Sequence, residues 1–209
     1  MKKVLLAENS GFCFGVKQAI EKTEEQIKIK EKGGISGNIY TCGPLIHNRL
    51  VTDDLAERGV GIISSAADAA PDDVVIVRSH GESKAFFKEA EAAGITVTDA
   101  TCPFVKKIHL LVGEAYEAGK RILIVGDREH PEVKGINGWC GNSAMIVNSP
   151  EEAETVGGDN IFLVCQTTIK KELLDEITEV LYRNGVSFEV NNTICSANKL
   201  RKKSCRKLS

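Results

Sequence analysis

Arg121-Ile122-Leu123-Ile124-Val125-Gly126-Asp127-Arg128-Glu129-His130-Pro131-Glu132-Val133 is the stretch that sets the fold. Ile122–Val125 reads as a strand, a polar segment follows as far as His130, and Pro131 suits the first turn of a helix. The same alternation runs along the chain. Strand-like runs recur at Val4–Leu6, Ile39–Cys42, Val60–Ile63, Val74–Val77, Thr96–Thr98, Ala144–Val147, Ile161–Val164 and Ser187–Val190. Helix patterns cover Val16 to about Lys30, Arg49–Arg58, Lys84–Ala93, Phe104–Ala118 and Lys171–Arg183. Such alternation predicts βαβ units, an α/β fold with mainly parallel sheets, and ligands at the carboxyl ends of the strands. Gly33-Gly34 and Gly59 read as turn or helix-end glycines, and Gly94 and Gly119 close helices before the next strand.

The chain divides near Thr101. Residues 1–13 are expected to form an N-terminal strand ending in a cysteine, and residues 14–101 a first α/β unit. Residues 102–193 have the same rhythm and form a second unit, though no residue-level repeat is visible; residues 194–209 are a short remainder with a basic tail.

Composition narrows the class. With 209 residues, 42% of them hydrophobic and 27% charged, the chain can build a packed core. A net charge of −2 argues against a dedicated nucleic-acid binder, which needs a surplus of Lys and Arg to meet phosphates. No apolar run approaches the ~20 residues that span a bilayer. Met1–Ala7 has the charge of a signal peptide, but Glu8 and Asn9 cut its apolar stretch short, so a cytoplasmic protein with no membrane partner is expected.

Seven cysteines without a Cys-x-x-Cys pair suggest neither a disulfide framework nor a structural zinc site. Three of them share a context: Gly11-Phe12-Cys13-Phe14-Gly15-Val16, Asp99-Ala100-Thr101-Cys102-Pro103 and Asn192-Thr193-Ile194-Cys195. Each follows an apolar run, and the first two open an amphipathic helix, whose positive end favours a thiolate. Thiolates hold iron–sulfur clusters, and three protein sulfurs on a four-iron cluster leave one iron open for chemistry. Cys42, Cys140 and Cys165 read as small buried residues.

Three of the four histidines stand where strands end. His47 precedes a helix in Gly43-Pro44-Leu45-Ile46-His47-Asn48, His80 follows Val74–Val77 in Arg78-Ser79-His80-Gly81, and His130 follows Ile122–Val125. On one sheet edge they can hold a diphosphate together with helix N–H groups; singly, each is equally a turn histidine. His109 falls inside a helix and reads as surface or packing. Glu132 in a first helical turn either complements the helix dipole or delivers a proton to a leaving hydroxyl. Thr167 and Thr168, after Ile161–Val164, either orient a substrate alcohol or cap the next helix. Trp139, Phe12 and Phe14 read as packing residues. A thiol-redox enzyme would need a resolving cysteine nearby, and a zinc hydrolase a tight ligand spacing; a four-iron cluster accounts for more of these residues together.

Read together and in order, Gly11–Val16, Ile46-His47-Asn48, Ser79-His80-Gly81, Asp99–Pro103, His130-Pro131-Glu132-Val133, Gln166-Thr167-Thr168 and Ile194-Cys195 resemble the 4-hydroxy-3-methylbut-2-enyl diphosphate reductase (LytB/IspH) family, which acts last in the non-mevalonate isoprenoid pathway. The resemblance runs from residue 3 to about 197. It implies three α/β units around a central [4Fe-4S] cluster held by Cys13, Cys102 and Cys195, with the open iron taking the substrate's alcohol. It implies that His47, His80 and His130 hold the diphosphate, that Glu132 supplies protons, and that Thr167 or Thr168 orients the alcohol. Two electrons from a ferredoxin or flavodoxin would then remove the hydroxyl, giving isopentenyl and dimethylallyl diphosphates.

The chain departs from that pattern after Cys195. Family members continue with a third unit of roughly a hundred residues that completes the diphosphate site with a Ser-x-Asn motif and a further serine. Here Asn198 stands where Thr is usual, and Lys199–Lys207 lacks the usual Arg-Gln pair. Two units with the third missing are expected, as from a truncated product. The cluster pocket would be open on one side, surfaces that face the third unit exposed, and Val4–Leu6 left without its partner. Weak or absent turnover follows, and the alternative is a non-catalytic remnant folded as two α/β units.

Overall fold

A computed structural model describes residues 4–8, 10–197, 204 and 206. The first unit runs α1 (Phe14–Glu31), β1 (Ile39–Cys42), α2 (Arg49–Glu57), β2 (Val60–Ile63), β3 (Val74–Val77), α3 (Lys84–Ala92) and β4 (Thr96–Asp99). The second runs α4 (Pro103–Glu117), β5 (Arg121–Val125), α5 (Pro131–Asn137), β6 (Met145–Val147), α6 (Pro150–Ala153), β7 (Ile161–Cys165), α7 (Lys171–Arg183) and β8 (Phe188–Val190). Each unit holds one four-stranded sheet, ordered β2-β1-β3-β4 and β6-β5-β7-β8, and every pairing is parallel. The order of the second sheet repeats that of the first, so the rhythm in the sequence is a repeat of topology without a repeat of residues.

The central strands explain why both sheets are covered on both faces. β3 (Val-Val-Ile-Val) and β7 (Ile-Phe-Leu-Val-Cys) are buried at every position, as unbroken apolar runs in parallel sheets must be. Successive side chains then feed opposite layers. Val75 and Val77 pack with Phe86 and Ala90 of α3, whereas Ile76 packs with Ala19 and Ile27 of α1. In the second sheet Leu123, Val125 and Leu163 meet Leu174, Ile177 and Leu181 of α7. Ile122, Ile124 and Val164 meet Ile108 and Val112 of α4 and Val133 and Ile136 of α5 on the other face.

Several helix starts are fixed by capping side chains. Asn48 Oδ1 accepts from Leu50 N–H at 3.1 Å, and Ser83 Oγ accepts from Phe86 N–H at 3.1 Å. α6 has the same origin: Ser149 Oγ accepts from Glu152 N–H at 3.3 Å, and Glu152 Oε2 reaches back to Asn148 N–H at 2.8 Å. That signal, Ser149-Pro150-Glu151-Glu152, stands in the sequence and marks a helix too short for periodicity to show.

One expected strand does not form. Val4–Leu6 is outside any strand, with Val4 85% and Leu6 82% exposed. That matches the expectation that Val4–Leu6 is left without its partner. The expectations on Asn198, Lys199–Lys203, Cys205 and Lys207 fall outside the described residues. No helix among the described residues is long and apolar enough to cross a membrane.

Leu163 is fully buried at the centre of the second sheet, so Leu163→Ala should destabilise the protein by about 3 kcal/mol, through lost transfer energy and the cavity left behind. A drop in denaturant midpoint at unchanged m-value checks this; a loss below about 1 kcal/mol would place Leu163 outside a tightly packed core.

Candidate active site

The loops that leave the carboxyl ends of both sheets converge. Cys13 is the N-cap residue of α1 and Cys102 that of α4; Cys195 follows β8, and its N–H donates to the Thr167 carbonyl at 2.8 Å. All three thiols are free and half-buried, and they line one cavity of about 450 Å³ together with His47, His80, Glu132, Thr167 and Thr168. Gly15 permits the approach of the first two cysteines: a Cβ there would fall 2.6 Å from Cys102 Sγ.

A helix N-terminus is expected to favour a thiolate, but at Cys102 it does not prevail. Burial pushes this thiol up; the Phe104 and Val105 N–H groups pull it down, and the neighbouring Cys13 and Cys195 push it up again. Three thiolates crowded into a half-dry cavity repel one another, and only a cationic centre between them reverses that balance.

The three histidines meet beside the thiols. Ring centroids lie 4.9 Å apart for His47 and His80, 5.3 Å for His80 and His130, and 6.0 Å for His47 and His130. His47 is exposed, the other two half-buried. Burial, then the adjacent rings of His47 and His130, hold the His80 imidazole neutral, with a pKa lowered to about 3. His130 is lowered as well, first by burial and then by His47.

One ring nitrogen from each histidine lies within 4.8 Å of the others, a separation that also suits a metal ion. The hydrogen bonding speaks for an anion instead. His130 is the N-cap of α5, and its Nδ1 accepts from Glu132 N–H at 3.2 Å. That bond assigns the proton of the neutral ring to Nε2, which is then a donor and not a metal ligand.

Glu132 is 2% exposed and held at both oxygens. Oε1 accepts from Thr167 N–H at 2.6 Å and Oε2 from the Thr167 hydroxyl at 2.7 Å. Those bonds favour the carboxylate, yet burial outweighs them and raises its pKa. Thr167 therefore serves Glu132. Thr168 is exposed, and its hydroxyl accepts from Gln166 Nε2 at 2.9 Å; neither threonine caps α7, whose N-cap is Lys170.

Other side chains fall differently from their sequence reading. Phe12, 38% exposed, lines the cavity, Phe14 is 64% exposed, and neither is a core residue. Trp139 does pack, with its ring stacked on buried His109 at 5.2 Å. Cys42, Cys140 and Cys165 are buried, as expected. The half-buried pair Arg78–Glu82, which brackets His80, has no sequence signal beyond its i, i+4 spacing.

Fold and site together define an α/β protein with a three-thiol cavity beside a polar cluster suited to an anion. Comparison narrows this class. The family model of the LytB protein matches residues 4–209, and the chain belongs to that family. A 4-hydroxy-3-methylbut-2-enyl diphosphate reductase of Alkaliphilus oremlandii is 43% identical over 208 residues, covering 99% of this chain and 73% of the relative. One of Clostridioides difficile is 40% identical over 209 residues, again covering 73% of the relative. Among solved structures, (E)-4-hydroxy-3-methyl-but-2-enyl diphosphate reductase, the terminal enzyme of the non-mevalonate pathway, is similar with TM-score 0.81 and 34% identity over 98% of this chain and 72% of that one. The Plasmodium falciparum E-1-hydroxy-2-methyl-but-2-enyl-4-diphosphate reductase is similar with TM-score 0.84 and 27% identity, covering 95% of this chain and 62% of that one.

The buried imidazoles make stability depend on acidity. His80 and His109 have folded pKa values near 3 and near 4, against an ordinary value of 6.5. Between 6.5 and about 4 the unfolded chain binds protons that the folded chain cannot, so stability is lost as pH falls through that window. The denaturant midpoint should be lower at pH 5 than at pH 7, and His109→Phe should shrink the difference. An unchanged difference in that variant would remove His109 from the account.

Proposed function

We propose that this chain is an iron–sulfur reductase of isoprenoid synthesis, converting 4-hydroxy-3-methylbut-2-enyl diphosphate to isopentenyl and dimethylallyl diphosphates. The observation that carries this reading is the single cavity lined by three free thiols, two imidazoles and a buried carboxyl, with a third imidazole alongside. The chain's relatives named as that reductase support it. The overall change is addition of two electrons and two protons to the allylic alcohol, with its C–O bond broken and water released.

The thiols suit a [4Fe-4S] cluster. They come from three separate loops, none is paired, and Gly15 keeps side-chain bulk out from between Cys13 and Cys102. Cys13, Cys102 and Cys195 would hold the cluster, which when bound supplies low-potential electron transfer. Ferredoxin or flavodoxin is the electron donor in this reading, and the cytoplasm its compartment.

The remaining residues supply position and protons. His47, His80 and His130 hold the diphosphate, with His130 Nε2–H as one donor and the α5 N-terminus adding its positive end. A bound diphosphate would stabilise the protonated imidazoles of His80 and His130, offsetting the burial that lowers their pKa values. Glu132, whose pKa burial raises, is the proton donor of this reading, acting where the hydroxyl leaves. Thr167 fixes the orientation of that carboxyl from two sides, and Thr168, at the cavity wall, orients the substrate alcohol in this reading.

Anaerobic turnover with reduced viologen as electron source tests this. The reconstituted protein should form both five-carbon diphosphates, though weakly given the expected gap in the diphosphate site, and Glu132→Gln should lower that kcat about 10²-fold further with cluster absorbance intact. A cluster-loaded protein that binds the substrate yet forms no product would contradict the reading and leave a binding-only remnant.

A further inference from the structure

His47, His80 and His130 come from three different loops, two in the first unit and one in the second, and they meet only if those loops are held in register. One connected set of side chains does that. Arg78 leaves the end of β3 two residues before His80, and its guanidinium lies directly on Gly43, four residues before His47. A Cβ at Gly43 would fall 2.5 Å from Arg78 Nη1, and Gly43 takes a φ of +66° that favours glycine. Arg78 Nη2 then donates to Glu82 Oε1 at 3.3 Å, and the same oxygen accepts from the Cys42 thiol at 3.4 Å. The backbone carbonyl of Glu82 accepts from Trp139 Nε1 at 3.0 Å. Trp139 follows α5, the helix that His130 caps.

We propose that Arg78 and Glu82 are positioning residues for the histidine cluster, clasping the loops of His47 and His80 together and, through Trp139, to the helix of His130. The two side chains are only 16% and 18% exposed, so their pairing is shielded from the solvent that weakens surface ion pairs. Breaking it leaves a half-buried charge without its partner, and the adjustment falls on the two loops it joins. The guanidinium also places positive charge within reach of His80 and His130, which serves an anion held there. The inference rests on the proposed anion-binding role for its affinity readout, and on geometry alone for its structural one.

Trp139 is the chain's single tryptophan, so its indole N–H gives one resolved signal at the join between the units. The experiment pairs that signal, and the ring signals of the histidines, with titration of the full chain by inorganic pyrophosphate. Arg78→Met and Glu82→Gln should each weaken pyrophosphate binding about tenfold. The double variant should bind no worse than the weaker single one, because both remove the same link. Arg78→Lys should recover part of the loss, since it keeps the charge but not the fork that spans Gly43 and Glu82. The indole signal and the ring signals of His47 and His80 should shift in both single variants, while the melting transition remains cooperative. Parent-like pyrophosphate affinity in both single variants, or additive losses in the double, would overturn the proposal. Should the parent chain itself not bind pyrophosphate, the anion reading fails, and unmoved histidine ring signals would sink the positioning role independently.

Discussion

Everything at this site depends on how closely the two units approach, and that approach is made through residues without side chains. Gly138 sits where a Cβ would fall 2.2 Å from Ser83 Cβ, at the start of α3. Gly135 of α5 faces the His80 carbonyl, where a Cβ would sit at 3.4 Å, and Gly15 of α1 faces the Cys102 thiol. A methyl group at Gly138 or Gly15 would force the backbones apart by more than side-chain adjustment absorbs. Because the loops that carry the thiols and imidazoles begin at these contacts, a wider gap would separate the residues of the site before it disturbed either sheet.

A second regularity is electrostatic. The cavity is dry enough that His80, Glu132 and Cys102 all lean toward their neutral forms, each with burial as the leading cause. Such a set binds charge poorly on its own and well in complementary combination. A dianionic headgroup beside the imidazoles and a cationic centre between the thiols would each relieve a local penalty. Glu132 lines the same cavity as the thiols and His80, and burial raises the pKa of its carboxyl despite two hydrogen bonds from Thr167.

The fold was largely legible in the sequence. Runs such as Val74–Val77 and Ile161–Val164 are too uniformly apolar for a one-sided sheet, and the helix patterns between them allow parallel pairing only. The convergence of Cys13, Cys102, Cys195, His47, His80, Glu132 and Thr167 follows from the same rule, since all leave strands at their carboxyl ends or open the helix that follows. What the sequence concealed depends on contacts between units. Nothing in the string links Trp139 to Glu82, or sets His109 against Trp139, because partners 57 and 30 positions apart carry no periodic signature. Burial reversed the expected direction at Cys102, since a helix terminus is local but desolvation is a property of the assembled cavity. Val4–Leu6 is apolar enough for a strand, but a strand also needs a partner edge, and its lack of one was the outcome expected from the resemblance.

The most direct test of the central claim is the iron and sulfide content of the anaerobically reconstituted chain, read with its Mössbauer spectrum. The account predicts about four irons and four sulfides per chain, one iron distinguishable from the other three, and loss of the cluster in Cys13→Ser, Cys102→Ser or Cys195→Ser. A two-iron spectrum, or a full cluster retained after any one of those substitutions, would contradict it.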